Sequence, residues 1–188
     1  MSSKDFWIIP LTNPMNELEP LIERWADFYH LTSKAAAALI GLLFVVITLA
    51  SERRLDAADK IPIYLTPTVI YFASVLFLAA LLTFPNHTRL TATLCICFMG
   101  VIGLVYSGFF FIGRSVKKSY YELYDVIPHA VLPFAAYGLL VLGGVLLSHD
   151  PHLGLTLVAV GMLLLLVVGI RNSWAIAIGV ISTHLDRY

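Results

Sequence analysis

Five apolar stretches without a formal charge predict an all-α fold: an antiparallel bundle of five transmembrane helices, or four if the first fails to cross, with a short amphipathic N-terminal helix. Three observations carry this expectation. Of 188 residues, 59% are hydrophobic and only 13% charged, whereas a water-soluble domain carries about a quarter charged residues. The mean hydropathy is +0.85. The stretches Ala35–Ala50, Ile63–Phe84, Leu90–Ile112, Val126–Leu147 and Leu153–Ile170 contain no Asp, Glu, Lys or Arg. None shows strand alternation, and unpaired backbone in lipid costs several kcal/mol per group, so a helical reading is required.

The N-terminal segment, residues 1–34, contains no signal peptide by the usual pattern, because Phe6–Leu11 is shorter than an h-region of about 7–15 residues. From Leu18, the apolar residues Leu18, Leu21, Ile22, Trp25 and Phe28 recur at three-and-four spacing, with Glu19, Glu23 and Asp27 between them. That pattern predicts an amphipathic helix lying at the membrane interface, as a lid over the bundle. The first span has only 16 residues and reaches a full crossing if Leu31, Thr32 and Ser33 join it while Lys34 snorkels. The next three, of 22, 23 and 22 residues, match a hydrocarbon core about 30 Å thick at about 1.5 Å per residue. The last has 18, and Trp174–Ile181 beyond Arg171 either prolongs it or bends along the membrane face. The bundle is thus assigned to residues 35–182 and a tail to 183–188. Short connections make successive helices antiparallel neighbours.

Orientation follows from Lys and Arg in the connections. Lys4, Arg24, Lys34 and Arg89 fall on one side, whereas Arg53, Arg54, Lys60, Arg114, Lys117, Lys118, Arg171 and Arg187 fall on the other. The positive-inside rule therefore places the N-terminus outside and the C-terminus in the cytoplasm of a cell membrane. Formal net charge is zero, so no basic field exists to attract nucleic acid. The expected partners are the lipid bilayer and either further copies of the chain or another membrane protein.

Candidate chemistry is sparse. No carboxylate lies in any span, which disfavours ion-coupled transport through intramembrane acids. His129 is placed three residues into the fourth stretch, on one helical face with Glu122 and Asp125. Pro133 removes the helical partner of the His129 carbonyl, and Pro67 does the same for Ile63. Counted from the outer turn, His129 and Arg171 stand level near the cytoplasmic interface. A polar pocket is therefore expected there from Tyr64, Thr66, Thr68, Glu122, Asp125, His129, Arg171 and Asn172, with Arg171 pairing to an acid either as a ligand site or as an anchor.

On the outer face, His30, His87, His149, Asp150 and His152 provide imidazoles and a carboxylate suited to zinc or copper. No other cofactor is expected. No phosphate loop, nucleophile elbow or CxxC motif is present, which points away from an enzyme. The sequon at Asn86 lies in a tight turn and carries no weight. Cys95 and Cys97, two apart on a helix, face away from each other and read as packing residues. Gly100, Gly103 and Gly108, and then Gly138, Gly143 and Gly144, mark the third and fourth stretches as places of close helix approach. The functional expectation is an oligomeric, channel-like or transport-associated component. The alternatives are a non-enzymatic subunit of a larger membrane complex, and a metal-binding or redox protein using the outer histidines.

Overall fold

The computed structural model describes the backbone of residues 18–52, 61–84, 88–116 and 131–185, and side-chain surroundings within 21–48, 65–84, 88–109 and 131–178. Among the described residues the fold is all-α, with five helices: α1 (Leu18–Glu52), α2 (Ile61–Thr83), α3 (Arg89–Val116), α4 (Leu132–Leu146) and α5 (Pro151–Leu185). Four contain a stretch long and apolar enough to cross a membrane: Leu21–Thr48, Leu65–Thr83, Arg89–Phe109 and Pro151–Ile178. At about 1.5 Å per residue, the 15 described residues of α4 extend only about 22 Å.

Two expectations about helix ends are resolved. The amphipathic stretch from Leu18 is no separate interfacial helix, because it runs without a break into the first span as α1. Leu21 and Tyr29 are buried in the same apolar cluster as Ala36 and Leu43, and Trp25, Phe28 and Tyr29 make ring contacts along one side of the helix. At the other end of the chain, Trp174–Ile181 prolongs the last helix, and α5 continues to Leu185.

The prolines also divide. Pro67 sits inside α2, which continues through it. Pro133 is the second residue of α4 as described. The freed carbonyl expected at His129 lies outside the described residues.

Two short turns set the antiparallel order. Leu147–Asp150 joins α4 to α5, and Asp150 caps the latter by accepting the Leu153 N–H at its Oδ1, 3.1 Å away. At the α2–α3 turn, the Thr88 hydroxyl accepts the Thr91 N–H at 3.2 Å.

Packing departs from the expected sequence of neighbours at one point: α2 and α3 follow each other in the chain yet scarcely touch. Instead α4 lies between α3 and α5, while α2 packs on α1 and α5. Small residues explain the choice. A Cβ at Gly143 would stand 2.8 Å from the Gly154 carbonyl oxygen, and one at Gly161 would stand 3.0 Å from that of Ala136. Thus α4 and α5 approach backbone to backbone. At Gly169 a Cβ would meet the Phe72 ring, which fixes α5 against α2.

Several hydroxyls in these helices return to their own backbone. Thr32 bonds the Phe28 carbonyl, Thr48 that of Phe44, Thr83 that of Ala79, Thr156 that of His152 and Ser173 that of Gly169. Back-bonding of this kind lets a hydroxyl sit in an apolar surrounding without a second helix. The core is filled by side chains such as Phe72, Leu78, Leu140, Met162 and Leu165, all fully buried.

Candidate functional site: a polar seam between the third and fourth helices

Thr93, Cys97, Gly100, Gly103 and Ser107 are spaced by four, three, three and four residues, which puts them on one face of α3. That face meets α4. A Cβ at Gly100 would stand 2.6 Å from Val141 Cγ2, and one at Gly103 would strike the Tyr137 ring. The Cys97 thiol donates to the Val141 carbonyl at 3.8 Å. On the α4 side, a Cβ at Gly144 would stand 2.7 Å from Cys97 Sγ. The seam therefore consists of small residues interrupted by hydroxyls and a thiol, with no formal charge.

Its centre is a hydrogen-bonded relay. Tyr137 is fully buried, its ring seated over Gly103, and its hydroxyl lies 3.0 Å from Ser74 Oγ on α2. Ser74 Oγ donates to the Ile70 carbonyl at 2.8 Å. A serine hydroxyl has one proton, so Tyr137 is the donor to Ser74. The order is Tyr137 to Ser74 to Ile70, which leaves the phenolic oxygen able to accept. The Tyr71 ring stands 6.3 Å from that of Tyr137, tilted by 56°.

Depth along the helices places the relay midway. Ser74 precedes Thr83 by nine residues and Tyr137 precedes Leu146 by nine, so both lie about 13 Å from the end bearing the two turns. Thr93 lies about 6 Å and Ser107 about 27 Å along α3 from Arg89, together covering most of a hydrocarbon thickness.

Several polar atoms have no partner among the described residues. Thr93 Oγ1, Ser107 Oγ and Asn172 Oδ1 are buried without a hydrogen bond there, as is the Tyr29 hydroxyl. Ser107 is only 6% exposed and Asn172 only 3%. A buried donor or acceptor left unsatisfied costs about 1–3 kcal/mol, so these positions favour any group that supplies the missing bond.

The residues expected at a cytoplasmic pocket are distributed as follows. Thr68 and Asn172 are buried, whereas Thr66 and Arg171 are exposed. The Phe72–Gly169 contact sets the register of α2 against α5, and one turn further along it brings Thr68 and Asn172 to the same level. Arg171, adjacent to Asn172, faces outward and makes no ion pair among the described residues. Glu122, Asp125 and His129 lie outside the described residues, as does the side chain of Tyr64.

Of the outer group, His30, His149, Asp150 and His152 are exposed, and His87 lies outside the described residues. Among the described residues, no three His, Cys, Asp or Glu side chains are grouped to hold a metal ion. The Asp150 carboxylate serves as a helix cap. Cys95 and Cys97 are both free thiols.

The relay from Tyr137 through Ser74 to Ile70, and the terminal hydroxyls Thr93 and Ser107, were not singled out by sequence pattern. The glycine and cysteine positions already held the signal, since extending their spacing by one turn in each direction reaches both hydroxyls. The link to Ser74 joins residues 63 positions apart and leaves no local mark.

Long apolar helices in close contact at their glycines define a multi-pass α-helical membrane protein. No protein-family model, curated protein or solved structure matches the chain.

Proposed function

We propose that this protein is a channel-like or transport-associated component of the cell membrane, working as an oligomer and handling a small uncharged solute with hydrogen-bonding groups. The observation that carries the reading is the row of buried, unsatisfied polar atoms at the two ends of the α3–α4 seam, Thr93 Oγ1 and Ser107 Oγ, with the Ser74–Tyr137 relay between them. A solute that donates and accepts hydrogen bonds would satisfy these groups in turn. An ion would find no carboxylate or ammonium in the seam to replace its hydration. The excess of Lys and Arg in alternate connections supports an outside N-terminus and a cytoplasmic C-terminus.

The core of one chain is filled, so passage requires α3 to separate from α4 or a second copy to complete the path. Purified protein in liposomes tests the reading by stopped-flow measurement of glycerol and urea entry beside sodium. The expected result is entry of an uncharged solute above the empty-liposome rate, reduced in Ser107→Ala, with sodium excluded. Equal rates in protein-containing and empty liposomes overturn it.

A second reading has its own observation. Leu90, Leu94, Phe98, Val105 and Phe109 form an exposed apolar face along α3, which suits a non-enzymatic subunit packed within a larger membrane complex. Stoichiometric recovery of another membrane protein, together with absent flux, favours that reading.

A further inference from the structure

One face of α5 is exposed along its length, and its composition changes abruptly at one point. Val160, Leu163, Val167 and Ile170 are exposed at three-and-four spacing, followed by Arg171 and Trp174 on the same face. Thr156, the polar residue earlier on this face, returns its hydroxyl to the His152 carbonyl at 2.7 Å. Arg171 is therefore the lone formal charge on an otherwise apolar strip between Leu153 and Ile178.

Position along the helix gives this charge its meaning. Arg171 follows Pro151 by twenty residues, about 30 Å, which is one hydrocarbon thickness. Trp174, 68% exposed, is one turn further on, at the depth where indole rings gather in membrane proteins. No ion-pair partner reaches Arg171 among the described residues. Arg171 is exposed, so its guanidinium at this level is open to a counter-charge from the surroundings, and a lipid phosphate is the anion available at that depth.

We infer that Arg171 and Trp174 form a binding site for the headgroup of an anionic phospholipid, whose acyl chains lie along Val160, Leu163, Val167 and Ile170. The planar guanidinium forks onto the phosphate oxygens. The indole packs at the glycerol level, and the apolar strip replaces neighbouring lipid contacts. This site faces away from the α3–α4 seam and does not depend on the transport reading.

The test uses the full chain with Trp7→Phe and Trp25→Phe, leaving Trp174 as the single indole, in vesicles containing either brominated phosphatidylglycerol or brominated phosphatidylcholine. Quenching of Trp174 reports which lipid occupies the site. One basic side chain near a membrane surface contributes about 1 kcal/mol toward anionic lipid, or about a fivefold preference. The expected result is a preference of that order for phosphatidylglycerol, lost in Arg171→Gln and largely retained in Arg171→Lys. It should persist when inorganic phosphate is added. Equal quenching by the two lipids, or a preference unchanged in Arg171→Gln, overturns the site. Loss of the preference on adding inorganic phosphate assigns the position to soluble anions and overturns the lipid assignment.

Discussion

Gly143→Ala probes a close backbone approach between α4 and α5. The added Cβ would lie 2.8 Å from the Gly154 carbonyl oxygen, 2.9 Å from Val158 Cγ2 and 3.0 Å from the Val158 nitrogen, against a comfortable non-bonded separation of about 3.5–4.0 Å between carbons. Two of these three atoms belong to the α5 backbone. No side-chain rotation can relieve them, so α4 and α5 must move apart. Overpacking of this kind costs about 1–3 kcal/mol. Alanine offsets part of that, because glycine is disfavoured in a helix by about 1 kcal/mol.

The net expectation is a loss of up to about 2 kcal/mol, equivalent to a change of up to roughly 30-fold in the folded ratio. Gly138→Ala, where a Cβ meets nothing within 4 Å, is the matched control and should be neutral or gain up to about 1 kcal/mol. Detergent-solubilised protein is followed by the half-life of its folded form at fixed elevated temperature, since unfolding of such proteins is often irreversible. Equal half-lives for Gly143→Ala and Gly138→Ala would refute the close-packed crossing.

Other outcomes follow from single contacts. The Tyr137→Phe, Ser74→Ala double-mutant cycle should show a coupling of about 0.6 kcal/mol, typical of hydrogen bonds between membrane helices, and zero coupling would remove the relay. Asp150→Ala should shorten the folded half-life through loss of a cap worth about 0.5–2 kcal/mol, whereas Asp150→Asn should leave it nearly unchanged. Ser107→Ala removes an unsatisfied hydroxyl without adding volume and should be neutral or stabilising in the same assay, while solute entry falls. A stability loss of several kcal/mol in Ser107→Ala would mean that the hydroxyl is bonded.

The fold class was legible because its signal is local and repeated: each charge-free run is long, and lipid allows few alternatives to a helix. The boundary at Lys34 was not legible. A basic residue after an amphipathic stretch resembles the end of one helix and the start of another, yet nothing there breaks the backbone, and α1 runs through. Neighbour order was misleading for α2 and α3, because a short turn suggests packing while the glycines on α4 and α5 decide it. Of the residues expected to form a polar pocket, Thr68 and Asn172 share a level, but adjacent helical positions point about 100° apart, which divides Arg171 from Asn172. Relative helix rotation is a tertiary property that no single helix encodes.

The pairing of α3 with α4 across the small-residue seam is tested most directly by oxidative cross-linking in intact membranes. Gly144→Cys in a Cys95→Ala background places a second thiol against Cys97, since the Gly144 Cβ position stands 2.7 Å from its Sγ. A membrane-permeant oxidant should convert most of the protein to an intrachain-bridged form that reductant reverses. A chain that remains reduced, or that bridges only between copies, would contradict the seam.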